Sequence, residues 1–155
     1  GNGLQVPTLD EVLATVQGKV KLLCELKGEG VEDATVDTVR ARQMEDQVIF
    51  TCFHMERLER VRALGDDLQL GAILSDPDED QIARALDLQV KGIGIHYRNL
   101  CLRQVDQVLS AGLDLRAWNP DTLAEQKAMI GLGVTGVSTN RPDILMKYVQ
   151  ENPEG

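Results

Sequence analysis

The chain has 155 residues and a formal net charge of -9, and its Lys and Arg residues form no cluster. This length allows one domain with a sizeable core but not two ordinary domains. The acidic balance argues against nucleic acid and anionic membrane surfaces as partners, and no apolar run approaches the roughly 18 residues that a membrane-spanning helix requires.

The three cysteines, Cys24, Cys52 and Cys101, are widely spaced and show neither CxxC nor zinc-binding spacing. Two of them lie in apolar runs, which predicts that they are buried small residues in a reducing compartment. A cytoplasmic location is therefore expected. The first residues, GNGLQVPT, contain no charged region followed by an apolar segment, so no targeting peptide is expected.

The predicted elements begin with a helix after Thr8, which forms a capping box with Glu11. The next segment, KVKLLCELKGEG, contains a nearly continuous apolar run that predicts a strand at 20–25, buried on both faces. Further strands are predicted at 47–52, 70–74, 92–96, 113–118 and 134–138. Further helices are predicted at 31–44, 56–64, 76–88, 100–111, 121–132 and 142–150.

The alternation of short apolar runs and amphipathic helices is a βα repeat, which predicts an α/β fold with a parallel sheet. Gly65, Gly112 and Gly133 end helices before strands and support this interpretation. No Gly-rich phosphate loop follows the first strand, which weakens a nucleotide-binding interpretation. Even spacing favours a barrel, although a TIM barrel needs eight units and about 250 residues. One domain is predicted over 1–150, followed by a loose tail at 151–155.

Polar and aromatic side chains follow the predicted strands. Glu25 and Lys27 are two residues apart and therefore lie on the same side of their strand. Because parallel strands present functional groups at their carboxyl ends, the pair indicates a site; a structural ion pair is the alternative. The other strand ends carry Phe53 and His54, Ser75 and Asp76, His96 and Tyr97, Trp118 and Asn119, and Thr139 and Asn140.

Each of these residues also has an ordinary explanation. His96 is as well placed to support a neighbouring residue as to act in catalysis, His54 fits the first turn of its helix, and Trp118 could pack at a barrel mouth. Together, however, they combine apolar walls with a few convergent polar groups, which is typical of a binding pocket.

The segments VPTLDEVL, LLCELK, VIFTCF, GIGIHYR, AGLDLRAWNPD and LGVTGVSTNRPDIL resemble, in order and spacing, the later part of glycerophosphodiester phosphodiesterases. The resemblance implies a TIM-type (β/α) barrel, incomplete here, with about six of eight βα units. It implies hydrolysis of glycerophosphodiesters to glycerol 3-phosphate and an alcohol, as in lipid and glycerol metabolism. It also implies a divalent metal, Mg²⁺ or Ca²⁺, and a small-molecule phosphodiester substrate.

Carried over residue by residue, the resemblance makes Glu25 a metal ligand and Lys27 a residue that faces the phosphate. Phe53 and Trp118 match aromatic residues that line the substrate groove. His96 is a further candidate for substrate binding at the same rim, which is formed by the carboxyl ends of the strands. No catalytic residue is assigned.

The family's His-Arg-Gly strand, its E-x-D metal pair and its H-D dipeptide precede the PTLxEVL segment and do not occur in these 155 residues. Three later motifs depart from the family pattern: W-T-V-N reads WNPD at 118–121, Ser-Phe reads Cys52-Phe53, and T-D-x-P reads TNRP at 139–142. A hard cation needs about six oxygen ligands, which Glu25 alone cannot supply, and cleavage needs an acid/base pair. We therefore expect the chain, as the C-terminal part of an enzyme, to be inactive alone.

Two alternatives stay open. A naturally shortened barrel would act as a non-catalytic binding or assembly module, and its open sheet edges would allow self-association with another copy. A different barrel enzyme that acts on phosphorylated metabolites would also be compatible with the E-x-K strand end.

Overall fold

The structure is a computed structural model that describes residue 3 and residues 5–152. Within these residues it contains seven helices and six strands. The helices are α1 (Leu9–Val16), α2 (Glu32–Ala41), α3 (Met55–Leu64), α4 (Glu79–Asp87), α5 (Leu102–Ser110), α6 (Leu123–Leu132) and α7 (Pro142–Glu151). The strands are β1 (Leu22–Glu25), β2 (Val48–Cys52), β3 (Gln69–Leu74), β4 (Gly92–His96), β5 (Asp114–Trp118) and β6 (Gly136–Ser138).

The chain divides into two compact units, one ending at Ala72 and the other beginning at Ile73. In the first unit β2 pairs in parallel with β1 and with β3, and in the second β5 pairs in parallel with β4 and with β6. A helix follows every strand. The predicted βα repeat is confirmed, as is the parallel pairing of consecutive strands within each unit.

Each unit buries the apolar side chains that the sequence pattern assigns to its interior. All five residues of β2 are buried, as expected for a continuous apolar run. The first unit buries Leu13, Val36, Val39, Phe50, Leu58, Val61 and Leu70. The second buries Ile82, Ile93, Ile95, Val105, Val108, Leu115 and Met129.

The strand β1 is not buried on both faces, and this part of the prediction is wrong. Leu22 and Cys24 are partly buried, whereas Leu23 is 41% exposed and lies on the same side of the strand as Glu25. Among the strands that the structure describes, β1 has β2 as its one neighbour. A continuous apolar run is typical of a strand that is covered on both faces, but in this structure only one face of β1 is covered.

The helix ends follow the capping chemistry of their sequences. Thr8 and Glu11 form the predicted capping box, in which the Thr8 amide donates to the Glu11 carboxylate at 2.8 Å. The helix predicted from residue 76 begins instead at Glu79, because Asp78 accepts the Gln81 amide hydrogen at 2.8 Å and acts as the N-cap.

All three cysteines are free thiols, but only Cys52 is fully buried. Cys24 is partly buried, and burial raises the pKa of its thiol. Cys101 is exposed as the N-cap of α5, so the prediction that it is buried is wrong. Over the described residues, no helix is long and apolar enough to cross a membrane.

The predicted domain boundary falls at the end of α7. The helix reaches Glu151, which the sequence had assigned to the tail, and residues 153–155 lie outside the described residues. A single domain over 1–150 stays a prediction.

Candidate functional site

Glu25 and Lys27 form an ion pair at the C-terminal end of β1. The Lys27 Nζ atom lies 3.5 Å from Glu25 Oε2, and the two side chains are 76% and 32% exposed. A pair this open to water contributes about 1 kcal/mol or less to folding. The sequence predicted a strand that is buried on both faces, but the pair at its end lies at the protein surface. Folding stability therefore gives little reason for its presence, and both charges are accessible to a ligand.

The backbone that follows Glu25 is held by an arginine from a distant helix. Arg57 on α3 donates through Nη1 to the Leu26 carbonyl at 3.0 Å and through Nη2 to the Gly28 carbonyl. Its Nε donates to Glu32, at the start of α2. The Leu26 carbonyl also accepts the thiol hydrogen of Cys52 at 3.2 Å. The peptide group directly before Lys27 and the peptide group after Gly28 are thus held, and Lys27 lies between them.

Glu32 and Arg57 form a pair that is shielded from solvent, with side chains 8% and 15% exposed. Burial alone raises the pKa of Glu32, but the hydrogen bond and the charge of Arg57, together with the residue's own backbone amide, outweigh it. The pKa of Glu32 therefore lies below its usual value, and the carboxylate is ionised at neutral pH.

Phe53 and His54 follow β2 directly. Phe53 is 41% exposed, which suits an aromatic side chain that lines an open surface. His54 is the N-cap residue of α3, and its Nδ1 lies 3.6 Å from the Glu56 carboxylate. His54 lies directly before the first turn of the helix and not in it, so its predicted helical position is one residue off. The groove role of Phe53 stays a prediction.

His96 and Trp118 are the last residues of β4 and β5 and are partners in the register of these strands. Their rings meet edge to face, with centroids 4.7 Å apart and planes at 85°. Both side chains are partly exposed. The structure thus brings together two of the predicted substrate-binding residues in the second unit. That Trp118 shares one groove with Phe53 stays a prediction.

Tyr97 connects this rim to the first turn of α6. Its amide donates to the Trp118 carbonyl at 2.9 Å, and its hydroxyl donates to the Glu125 carboxylate at 2.7 Å. The Arg98 guanidinium donates to the same hydroxyl at 2.8 Å. The hydrogen bonds of Tyr97, and then of Thr122, lower the pKa of Glu125 to about 2.

The loops after β5 and β6 are joined by Asp121. Its Oδ1 accepts hydrogen bonds from the Thr139 hydroxyl at 2.9 Å and the Asn140 amide at 2.8 Å, and its Oδ2 accepts one from the Asn140 side chain at 2.8 Å. These hydrogen bonds lower the pKa of Asp121, and the bond from the Asn140 side chain has the largest effect. Beneath them the fully buried Gln126 donates to the Pro120 carbonyl at 3.2 Å and to the Thr139 hydroxyl at 3.0 Å.

The donor set for a divalent cation is incomplete within the described residues. They contain no group of three or more His, Cys, Asp or Glu side chains able to hold a metal ion. Glu25 offers one carboxylate, whereas Mg²⁺ and Ca²⁺ take six or more oxygen ligands. These residues alone therefore do not fit a metal site.

The βα units and the polar and aromatic side chains at their carboxyl ends define a protein of the parallel α/β class. Residues 1–144 match the model of the glycerophosphoryl diester phosphodiesterase family, and the chain belongs to this family.

Three similar proteins illustrate the relationship. The glycerophosphodiester phosphodiesterase of Caldanaerobacter subterraneus subsp. tengcongensis is 24% identical over 96% of this chain and 64% of its own length. A glycerophosphodiester phosphodiesterase structure from Parabacteroides distasonis has a TM-score of 0.84 at 20% identity, covering 99% of this chain and 68% of that one. An Oleispira antarctica phosphodiesterase in complex with the product sn-glycerol-3-phosphate has a TM-score of 0.80 at 22% identity, covering 93% of this chain and 61% of that one.

The two structures confirm the predicted fold class, an incomplete TIM-type (β/α) barrel with six βα units in this chain. The chain spans less than two thirds of the length of the Caldanaerobacter relative, at 64%.

Proposed function

We propose that the natural protein containing this chain hydrolyses glycerophosphodiesters to glycerol 3-phosphate and an alcohol. The observation that carries the proposal is the solvent-open pair of Glu25 and Lys27 at the end of β1, in a chain of the glycerophosphoryl diester phosphodiesterase family. The glycerol 3-phosphate bound by the Oleispira relative supports the same substrate class.

In this proposal each rim residue has a role that suits its chemistry. Glu25 is one oxygen ligand of a divalent cation, Mg²⁺ or Ca²⁺, and the remaining ligands come from outside the described residues. Lys27 attracts the anionic oxygens of the phosphate, because its ammonium group is exposed beside the strand end. His96 and Trp118 form an aromatic corner against which the substrate packs, and Phe53 offers a further exposed ring.

The 155-residue chain alone is proposed to be inactive. Its described residues hold no group of ligating side chains that could bind a metal, and its sequence lacks the His-Arg-Gly and H-D motifs to which the family resemblance assigns the acid/base histidines. The free cysteines are compatible with a reducing, cytoplasmic compartment, which is proposed on that ground.

The proposal is tested by measuring glycerol 3-phosphate released from a glycerophosphodiester by the natural protein and by the 155-residue chain. Bis(p-nitrophenyl) phosphate, which lacks glycerol, serves as the control substrate. We expect the natural protein to hydrolyse the glycerophosphodiester, to lose activity in EDTA and to recover it with Mg²⁺ or Ca²⁺. Absence of hydrolysis by a folded natural protein, or metal-dependent hydrolysis by the 155-residue chain, would contradict the proposal.

The second candidate is a binding or assembly module that associates with another copy. It is favoured by the 41% exposure of Leu23 on β1, a strand that pairs on one side among those described. A stable dimer in sedimentation analysis of a natural protein without phosphodiesterase activity would support this candidate.

A further inference from the structure

Arg57 holds the backbone around Lys27 through the carbonyl groups of Leu26 and Gly28. We infer that Arg57, oriented by Glu32, is a positioning residue for Lys27. This inference rests on the proposed function, in which Lys27 faces the phosphate.

Arg57 uses three nitrogen atoms on three different partners. Nε donates to Glu32, Nη1 to the Leu26 carbonyl at 3.0 Å and Nη2 to the Gly28 carbonyl. Leu26 and Gly28 are the residues on either side of Lys27. The Leu26 carbonyl belongs to the peptide plane directly before Lys27, and the Gly28 carbonyl belongs to the plane between Gly28 and Glu29. Holding both carbonyl groups restrains the short backbone segment that contains Lys27, and therefore the direction in which its side chain leaves the backbone.

A guanidinium is suited to this role because it is planar and presents five hydrogen-bond donors in a rigid fork. Lysine would carry the same charge on a single flexible nitrogen and could not keep all three bonds in this geometry. The carboxylate of Glu32 is buried and ionised, so it holds the fork in one orientation.

The same pair of helices contains a matched control. Arg60 lies one helical turn after Arg57 on α3, and it pairs with Asp33, the residue after Glu32 on α2. The side chains of Arg60 and Asp33 are 54% and 52% exposed. This pair has the same chemistry and connects the same helices, but its side chains are about half exposed to solvent.

The experiment compares Arg57→Lys with Arg60→Lys in the natural protein. Arg57→Lys keeps a positive charge beside Glu32, so we expect it to fold. We expect the carbonyl ¹³C shifts of Leu26 and Gly28 to move in Arg57→Lys and to stay unchanged in Arg60→Lys. Hydrogen exchange of the Leu26 amide, which is bonded to the Thr51 carbonyl at 2.8 Å, should become faster only in Arg57→Lys.

The kinetic readout is a decrease in kcat of roughly tenfold to a hundredfold in Arg57→Lys, the usual cost of losing a group that orients a ligand. The KM for the glycerophosphodiester should change less, and Arg60→Lys should match the wild type. The double variant Arg57→Met/Glu32→Gln, which removes the buried charge together with its partner, should show the same loss of kcat.

Wild-type kcat and carbonyl shifts in Arg57→Lys would overturn the inference, as would an equal loss of kcat in Arg60→Lys. If the wild-type protein itself hydrolyses no glycerophosphodiester, the proposed function fails. The carbonyl shifts and the Leu26 exchange rate then still decide whether Arg57 positions the backbone around Lys27.

Discussion

Tyr97 is a residue that connects neighbouring elements through both its backbone and its side chain. Its backbone amide holds the Trp118 carbonyl, while its hydroxyl reaches the Glu125 carboxylate on the next helix. Glu125 is at the same time the third residue of the α6 capping box, with Thr122 as the N-cap. The end of β4 is therefore connected both to the end of β5 and to the start of α6.

Tyr97→Phe should raise the pKa of Glu125, because it removes the hydrogen bond that lowers this pKa most. The folded-state pKa of about 2 lies below the ordinary value of 4.5, so the stabilisation is fully present above the ordinary value and is lost as the pH falls towards 2. Tyr97→Phe should therefore lower the melting temperature at pH 7, and the difference from the wild type should shrink at acid pH.

Titration of the Glu125 carboxyl carbon by NMR measures this pKa directly. Tyr148→Phe is the control. Tyr148 lies on a different helix, α7, and the centroid of its ring is 4.9 Å from the Lys127 ammonium. An unchanged Glu125 pKa in Tyr97→Phe would contradict the account.

At the scale of elements, Asp121 and Asn140 join the loops after β5 and β6. By the family resemblance, Asp121 stands where the W-T-V-N motif has Asn, and Asn140 stands where the T-D-x-P motif has Asp. The two side chains are bonded to each other, Asn140 Nδ2 to Asp121 Oδ2 at 2.8 Å. One amide and one carboxylate are thus in contact at the two positions where the resemblance departs from its pattern.

The single variant Asn140→Asp should destabilise the protein at pH 7, because it places a second carboxylate against Asp121. Asp121→Asn should be milder, since an amide can reorient to restore one bond. The double variant Asp121→Asn/Asn140→Asp restores the pairing in reverse, and its melting temperature should recover to near the wild-type value. Additive losses in the double variant would show that the two residues do not act as a pair.

The elements that follow from local sequence patterns were predictable, and those that depend on distant partners were not. The capping box at Thr8 and Glu11 and the apolar run of β2 are local signals, and both are confirmed. Glu32 and Arg57 are 25 residues apart and look like ordinary surface charges on two helices. Their pairing, and the two carbonyl groups that Arg57 holds, become visible only when α2 and α3 are packed.

At the scale of the whole molecule, the chain combines a family fold with a rim that is incomplete within its described residues. The family match extends over residues 1–144, while the chain spans 64% of the Caldanaerobacter relative. Glu25 is the carboxylate that the proposal assigns to the metal, and its pairing with Lys27 is too exposed to contribute much to folding. We therefore propose that Glu25 is present for its function and not for its contribution to folding stability.

The most direct test of this claim is Glu25→Gln in the natural protein, with activity, metal affinity and melting temperature measured on the same preparation. Glutamine keeps the size of the side chain but removes the charge that a hard cation requires. Glu29→Gln, at an exposed position of the same loop, is the matched control. We expect Glu25→Gln to lose activity by orders of magnitude and to bind metal more weakly, with a metal-free melting temperature close to that of the wild type. Wild-type activity and metal affinity, combined with a clear loss of stability, would contradict the account and make Glu25 a structural residue.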